Sequence, residues 1–282
     1  MTRIAFLGTG LLGGALAEAA AKRGDQVTAW NRTAEKARAL EQFGVTTAAT
    51  PADAVRGATH VHLVLKDDAV VADVIAALRP GLEKDAIILD HTTTLPALTA
   101  ERVKTLNAEG VNYLHCPVFI GPAAARAGQG TILVAGPRKL FDAVKSDLER
   151  FAPKVEYAGE RGDLAAVYKL CGNAFIIGIN ALVADVFSVA AGAQVSPEEA
   201  LRVVGFFDPA SVINGRGRNM AAKAFAPSFE LSMARKDVRL MLETAASLPL
   251  SSLPGIAARM DDLIAEGRGA EDLAVMGKDA VA

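Results

Sequence analysis

Cysteine is nearly absent from this chain. Its 282 residues include two, Cys116 and Cys171, far apart and in no Cys-x-x-Cys or Cys/His spacing. That excludes a disulfide framework or a zinc site legible from spacing, and it predicts a reducing, cytoplasmic setting with no bound metal. An excess of one charge is also missing. Thirty basic residues face thirty-two acidic ones, for a net charge of −2, so no bulk attraction to nucleic acid or to an anionic membrane is expected. No apolar run continues for the about 18 residues that a membrane span needs. The nearest, 174–191, is broken by Asn180 and Asp185. At the N-terminus, Arg3 precedes a short apolar run that ends at Gly-Thr-Gly, which is not the pattern of a signal peptide. The sequence has no fixed-period repeat and no low-complexity tract.

What is present is a chain that is 51% hydrophobic. It is long enough to bury roughly three quarters of the surface its unfolded form exposes and to form about two domains. Up to about residue 157, β-rich runs at 3–7, 26–30, 60–65, 86–89, 111–116 and 131–135 alternate with helix-like segments at 11–23, 33–43, 67–79, 95–108 and 137–150. This alternation predicts an α/β Rossmann domain, doubly wound around a mostly parallel sheet. Runs such as Ile87-Ile88-Leu89 are apolar throughout, as strands covered on both faces require. Thr33 and Asp67 are expected helix N-caps, and Gly24, Gly44 and Gly110 expected helix stops. From 162 onward the texture changes to a long apolar helix followed by helix-like pieces at 197–205, 216–224, 231–247 and 254–266. The expected division is therefore 1–161 and an all-α domain, 162–282, entered through the long helix.

Residues 8–13 read Gly-Thr-Gly-Leu-Leu-Gly, between a strand and a helix of the first βαβ unit. A turn that merely joins strand to helix is one reading. The position is also the one a dinucleotide fingerprint requires. Gly8 would permit the tight turn, Gly10 the approach of a pyrophosphate, and Gly13 close packing of helix on strand. The amides that open the helix, at Leu11 and Leu12, would face the phosphates. At the end of the second strand, where sites for NAD usually place an acid, the chain has Asn31-Arg32-Thr33. A carboxylate repels a 2′-phosphate, whereas a guanidinium binds one bidentately. Asn31 and Thr33 could add hydrogen bonds, and Lys36 follows one turn on. NADP(H) is the expected cofactor.

Further motifs stand in order: Asp90-His-Thr-Thr-Thr-Leu-Pro96, Cys116-Pro-Val-Phe-Ile-Gly121, Tyr168-Lys-Leu-Cys-Gly-Asn173, the Lys-Asp helix at 232–242, and 271–277. With the glycine loop, they resemble the β-hydroxyacid dehydrogenase family, which includes 3-hydroxyisobutyrate dehydrogenases and glyoxylate or succinic semialdehyde reductases. The resemblance implies hydride transfer between a nicotinamide and a carbonyl/alcohol pair, and a homodimer formed through the helical domain. It implies cofactor contacts at Leu65, Lys66, Thr92, Thr93 and Lys236. For Thr92 and Thr93, capping of the next helix is the alternative, and for Lys236 a plain surface charge. It implies that Lys169 is the proton donor and that Asn173, four residues on and on the same helix face, orients it. Burial would bring the Lys169 pKa towards the working range. Cys171 faces elsewhere and is expected to pack. The four histidines show no ligand spacing.

The chain departs from the family at two places. The usual Ser-Gly-Gly that binds a substrate carboxylate is Phe119-Ile120-Gly121 here, and the first Asn of Lys-x-x-Asn-Asn is Gly172. An anion would lose donors at 119–121. A small carbonyl substrate bearing an apolar group is one consequence; a Phe119 turned away from the pocket is the other. Imine reductases and reductive aminases are similar in fold, carry Trp-Asn-Arg-Thr as at 30–33, and lack the same triplet. They are the alternative activity, with an imine as substrate, although they typically replace the lysine. A relative that binds dinucleotide without catalysing is a third reading, which the retained Lys169 opposes.

Overall fold

A computed structural model describes residues 2–281. Its first unit, ending at Asn173, is built on one sheet. The strands are β1 (Arg3–Leu7), β2 (Gln26–Trp30), β3 (Thr46–Thr47), β4 (His60–Leu63), β5 (Ile87–Asp90), β6 (Asn112–His115), β7 (Val118–Phe119), β8 (Thr131–Ala135) and β9 (Lys154–Gly159). Their order is β3-β2-β1-β4-β5-β6-β8-β7, with β9 on β8. The pairings from β3 through β6 are parallel; β6 and β7 meet β8 antiparallel. The helices are α1 (Leu11–Lys22), α2 (Ala34–Arg38), α3 (Pro51–Val55), α4 (Asp68–Leu78), α5 (Pro96–Ala108), α6 (Pro122–Arg126) and α7 (Arg138–Glu149).

Strand residues alternate between two cores, which makes the domain doubly wound as the sequence predicts. Ile4, Phe6, Ile87 and Leu89 join α1 and α7 on one face. Ala5, Leu7 and Ile88 join α4 and α5 on the other. Because both faces are covered, the strands read as apolar runs rather than alternating ones. Asp67 caps α4, its carboxylate accepting from the Val70 N–H. Thr33 occupies the N-cap position of α2, but its hydroxyl caps nothing.

The helix α8 (Leu164–Gly192) runs from the first unit into the second. By length and composition it could cross a membrane, despite the polar residues that interrupt the run in the sequence. One of them, Asp185, is fully buried. Its carboxylate accepts backbone N–H bonds from Ser251, Ser252 and Leu253 at 2.6–2.8 Å. The second unit adds α9 (Pro197–Ala200), α10 (Pro209–Ala221), α11 (Leu231–Ala245) and α12 (Leu253–Ala265). Its core joins Leu231, Ala234 and Val238 of α11 to Leu253, Ala257, Met260 and Leu263 of α12. Asp185 thus supplies a negative charge at the N-terminus of α12, where a helix favours one. Burial pushes its pKa up, and the three backbone bonds more than reverse that, leaving it below the ordinary value. Asp185→Ala strands these donors and is expected to destabilise the helical unit by about 2–3 kcal/mol. Urea unfolding followed by helical circular dichroism checks this; an unchanged midpoint rejects it.

Candidate active site

The strand order reverses between β1 and β4, since β2 lies on one side of this pair and β5 on the other. In such sheets ligands bind at the crevice beyond the strand C-termini. The chain places there the segments its motifs single out. β1 runs into Gly8, whose φ of +95° is costly for any other residue. A Cβ on Gly8 would stand 2.2 Å from the Val64 carbonyl oxygen, and one on Gly13 2.0 Å from the Gly8 carbonyl oxygen. Gly8 and Gly13 are therefore required by the fold. Gly10 differs: its Cβ would meet nothing within 4 Å. It is the N-cap of α1, with no side chain capping it, so the amides at Leu11 and Leu12 open on free space beside it.

At the end of β2, the Asn31 carboxamide accepts from the Thr9 N–H at 3.0 Å and donates to the Thr33 carbonyl at 3.0 Å. Asn31 thus ties the glycine loop to the next turn, and it lines the same cavity as Arg32 and Thr33. Arg32 and Lys36 are exposed, and among the described residues no carboxylate pairs with either. They line a cavity of about 600 Å³ together with Gly8, Gly10, Thr33 and Lys66. Val64, Leu65, Val70, Val74 and Ala77 give it an apolar lining as well, and Asp73 is its one carboxylate.

At the end of β5, the Asp90 carboxylate is buried, accepting from the Tyr113 hydroxyl at 2.6 Å and the Thr92 N–H at 2.9 Å. The Thr92 hydroxyl accepts from the Leu65 N–H at 3.1 Å. Thr92 therefore braces this turn against the segment after β4, while Thr93 beside it is exposed. Neither caps α5, whose N-cap is Leu95.

Lys169 and Gly172 lie on the first turns of α8, within the first unit. The Lys169 ammonium sits 4.2 Å from the centroid of the Phe119 ring. It is half-buried, and desolvation alone lowers its pKa. Asn173 is one turn further on. Phe119 is thus turned towards Lys169. Ile120 packs against the α1 core, and Gly121 is the N-cap of α6, followed by Pro122. Cys171 is exposed rather than packed. Lys236 belongs to α11 of the helical unit, where it pairs with Asp237 at 2.7 Å.

Residues 3–159, more than half of the chain, match the model of the NAD binding domain of 6-phosphogluconate dehydrogenase. The chain belongs to this family. It is an NAD(P)-dependent oxidoreductase of the β-hydroxyacid dehydrogenase group. The 3-sulfolactaldehyde reductase of Escherichia coli is 27% identical over 96% of this chain and 93% of its own. In fold it resembles an imine reductase from Pseudomonas sp., with a TM-score of 0.87, 22% identity and 98% of each chain covered. It also resembles a reductive aminase from Aspergillus terreus in complex with NADPH4, cyclohexanone and allyl amine, with a TM-score of 0.85, 22% identity and 98% of each chain covered.

In this β-hydroxyacid dehydrogenase relative, the structure brings together residues that spacing had left apart. His91 Nδ1 lies 2.7 Å from the Cys116 carbonyl, so it carries the proton. Its Nε2 then accepts from His62 Nδ1 at 2.8 Å. Burial holds both rings neutral, pushing their pKa values down. His62 stacks on Phe6 at 4.7 Å. The pair is a packed core element behind the β5 turn. Apart from Leu65, the apolar lining of the cavity was also unforeseen as part of the site. Its signal was the Val70, Val74, Ala77 spacing, one face of α4 directly after a strand end.

The glycines predict separable outcomes for this oxidoreductase. Gly13→Ala forces a methyl against the Gly8 carbonyl and should cost on the order of 3 kcal/mol of stability. Gly10→Ala has room and should fold with an unchanged Tm, yet, if this loop cradles the phosphates, lose nicotinamide cofactor binding, because the methyl would stand in their way. Melting curves and cofactor fluorescence titration separate the two. Normal binding by Gly10→Ala would reject the loop as the phosphate site.

Proposed function

We propose that this chain is an NADPH-dependent reductase of a small aldehyde or ketone, with Lys169 protonating the carbonyl oxygen. The observation that carries this reading is the state of Lys169. A half-buried ammonium with no carboxylate partner among the described residues is costly unless it has a task. Its lowered pKa makes it a better acid near neutrality. When bound, the reduced nicotinamide supplies a hydride to the carbonyl carbon. The Lys169 ammonium gives its proton to the oxygen, leaving an alcohol and a neutral amine that solvent reprotonates. Asn173, on the same helix face, orients the oxygen or the ammonium.

The choice of NADPH rests on Arg32, Thr33 and Lys36. Two unpaired cations and a hydroxyl that caps nothing surround the place where a ribose 2′-phosphate would lie. The apolar wall suits an adenine. Leu65, Lys66 and Thr93 are the further cofactor contacts we assign, with Thr92 as their brace.

Phe119 at Lys169 favours a substrate with an apolar group over a free hydroxyacid. The same aromatic wall, with the fold likeness to imine reductases, supports imine reduction as a second reading. Lys169 favours the carbonyl, because a neutral carbonyl needs a proton at oxygen and an iminium needs none at hydride transfer. A screen of NADPH oxidation over semialdehydes, glyoxylate, aromatic aldehydes and cyclic imines tests the choice. Turnover of imines alone promotes the second reading; tight NADPH binding with no turnover favours a non-catalytic binding protein.

We also propose that the chain works as a cytoplasmic homodimer through its helical unit. That unit exposes Phe175, Ile177, Phe206, Phe207 and Ile213, large apolar side chains that a partner copy would cover. A monomeric mass by light scattering would overturn this.

A further inference from the structure

The two places where this chain departs from its relatives' motifs, Phe119 and Gly172, touch each other. A Cβ on Gly172 would stand 2.3 Å from Phe119 Cζ and 2.8 Å from Cε1. The ring fills the space that any side chain at 172 would need. It is held from behind by pairing of β7 with β8, Phe119 opposite Thr131. It also packs into the cluster of Leu133, Ala135 and Ala165. The Lys169 ammonium lies over its face at 4.2 Å.

We propose that Phe119 is the positioning residue of Lys169: seated in the notch at Gly172, its ring holds the ammonium over the aromatic face and stabilises the charged form. The task exists because desolvation disfavours that form, and among the described residues no ionised group contributes to offsetting it. The ring quadrupole supplies an attraction in place of a carboxylate's, and raises the pKa by less than an ion pair would. It also fixes a flexible four-carbon stem against α8. This inference rests on the proposed role of Lys169 for its effect on rate, but not for its direct test.

The ring has two opposed effects on Lys169. It excludes water, which lowers the pKa, and its face attracts the cation, which raises it. Leucine keeps the first and loses the second; serine loses both and admits water. Competitive acetic anhydride labelling of Lys169 against pH, read by mass spectrometry on the full chain, measures the pKa without turnover. Phe119→Leu should lower it by about half a pH unit or more, and Phe119→Ser should raise it. Gly172→Ala should lower kcat at least about tenfold with NADPH affinity unchanged, because the methyl displaces the ring. Phe119→Leu/Gly172→Ala should then resemble Phe119→Leu alone, since the shorter side chain leaves room. An unchanged pKa in Phe119→Leu, shifts of one sign in both Phe119 variants, or additive losses in the double variant would overturn the proposal. Should Lys169 not be the proton donor, Lys169→Ala would turn over normally while the labelling shifts persisted, so the two failures are distinguishable. Melting temperature and NADPH binding confirm that each variant is folded.

Discussion

Lys169→Ala lowers the rate of the chemical step at least about 10²-fold, the scale on which a positioned general acid acts, and leaves NADPH affinity near its starting value. The separation is expected because Lys169 stands on α8 against Phe119, while the glycine loop and Arg32 lie at the ends of β1 and β2. Single-turnover NADPH oxidation checks it; near-normal turnover removes Lys169 from the chemistry. The pH profile should agree. An ammonium that donates a proton works below its pKa, so reduction should be full at lower pH and fall as pH rises through that value. Desolvation sets it below the 10.5 of an ordinary lysine. Lys169→Arg should not restore the rate, since a guanidinium keeps its proton throughout the working range.

Arg32→Asp weakens NADPH by about 10²-fold or more while sparing NADH, inverting the cofactor preference. The argument is electrostatic and geometric. A free guanidinium makes a bidentate, charge-assisted contact with a phosphate, and a carboxylate at the same place repels the dianion yet can accept from ribose hydroxyls. Truncating such a contact costs about 2–5 kcal/mol. Titration of both cofactors by fluorescence reads the result directly. Equal losses for NADPH and NADH would mean that Arg32 supports the turn rather than reading the phosphate.

The glycine loop was legible in the sequence because its determinants are local. Gly8, Gly10 and Gly13 lie within six residues; a Cβ at Gly8 or Gly13 would strike a backbone carbonyl, while Gly10 faces open space. The central strands were legible for the same reason, as apolar runs of four or five residues. Shorter or more polar elements were not. β3 and β7 have two residues each, and β9, Lys-Val-Glu-Tyr-Ala-Gly, is half-exposed with no clean alternation. α10 begins at Pro209 rather than near 216, capped by Asp208. The glycines at 215 and 217 hid its continuity, although Asp-Pro is a sound start signal. The task of Asp185 was not legible because its partners lie more than sixty residues on, at the start of another helix. The contact of Phe119 with Gly172 was likewise out of reach: both departures could be seen, but only the fold shows that one makes room for the other.

The neutral His62–His91 pair gives the cofactor domain an acid limit of its own. In the unfolded chain both imidazoles take up protons at their ordinary value of 6.5; in the folded core burial holds them below it. Their contribution to stability is therefore complete above pH 6.5 and is lost as pH falls from there towards the folded values. The domain should soften in mildly acidic solution, before its carboxylates titrate. Melting temperatures recorded between about pH 5 and pH 7.5 should fall on the acid side, and fall less in a His62→Gln variant; parallel curves would reject the account. The two limbs of an activity profile would then have different origins. The alkaline limb reports a proton donor on α8, and the acid limb reports the endurance of the sheet that carries the glycine loop.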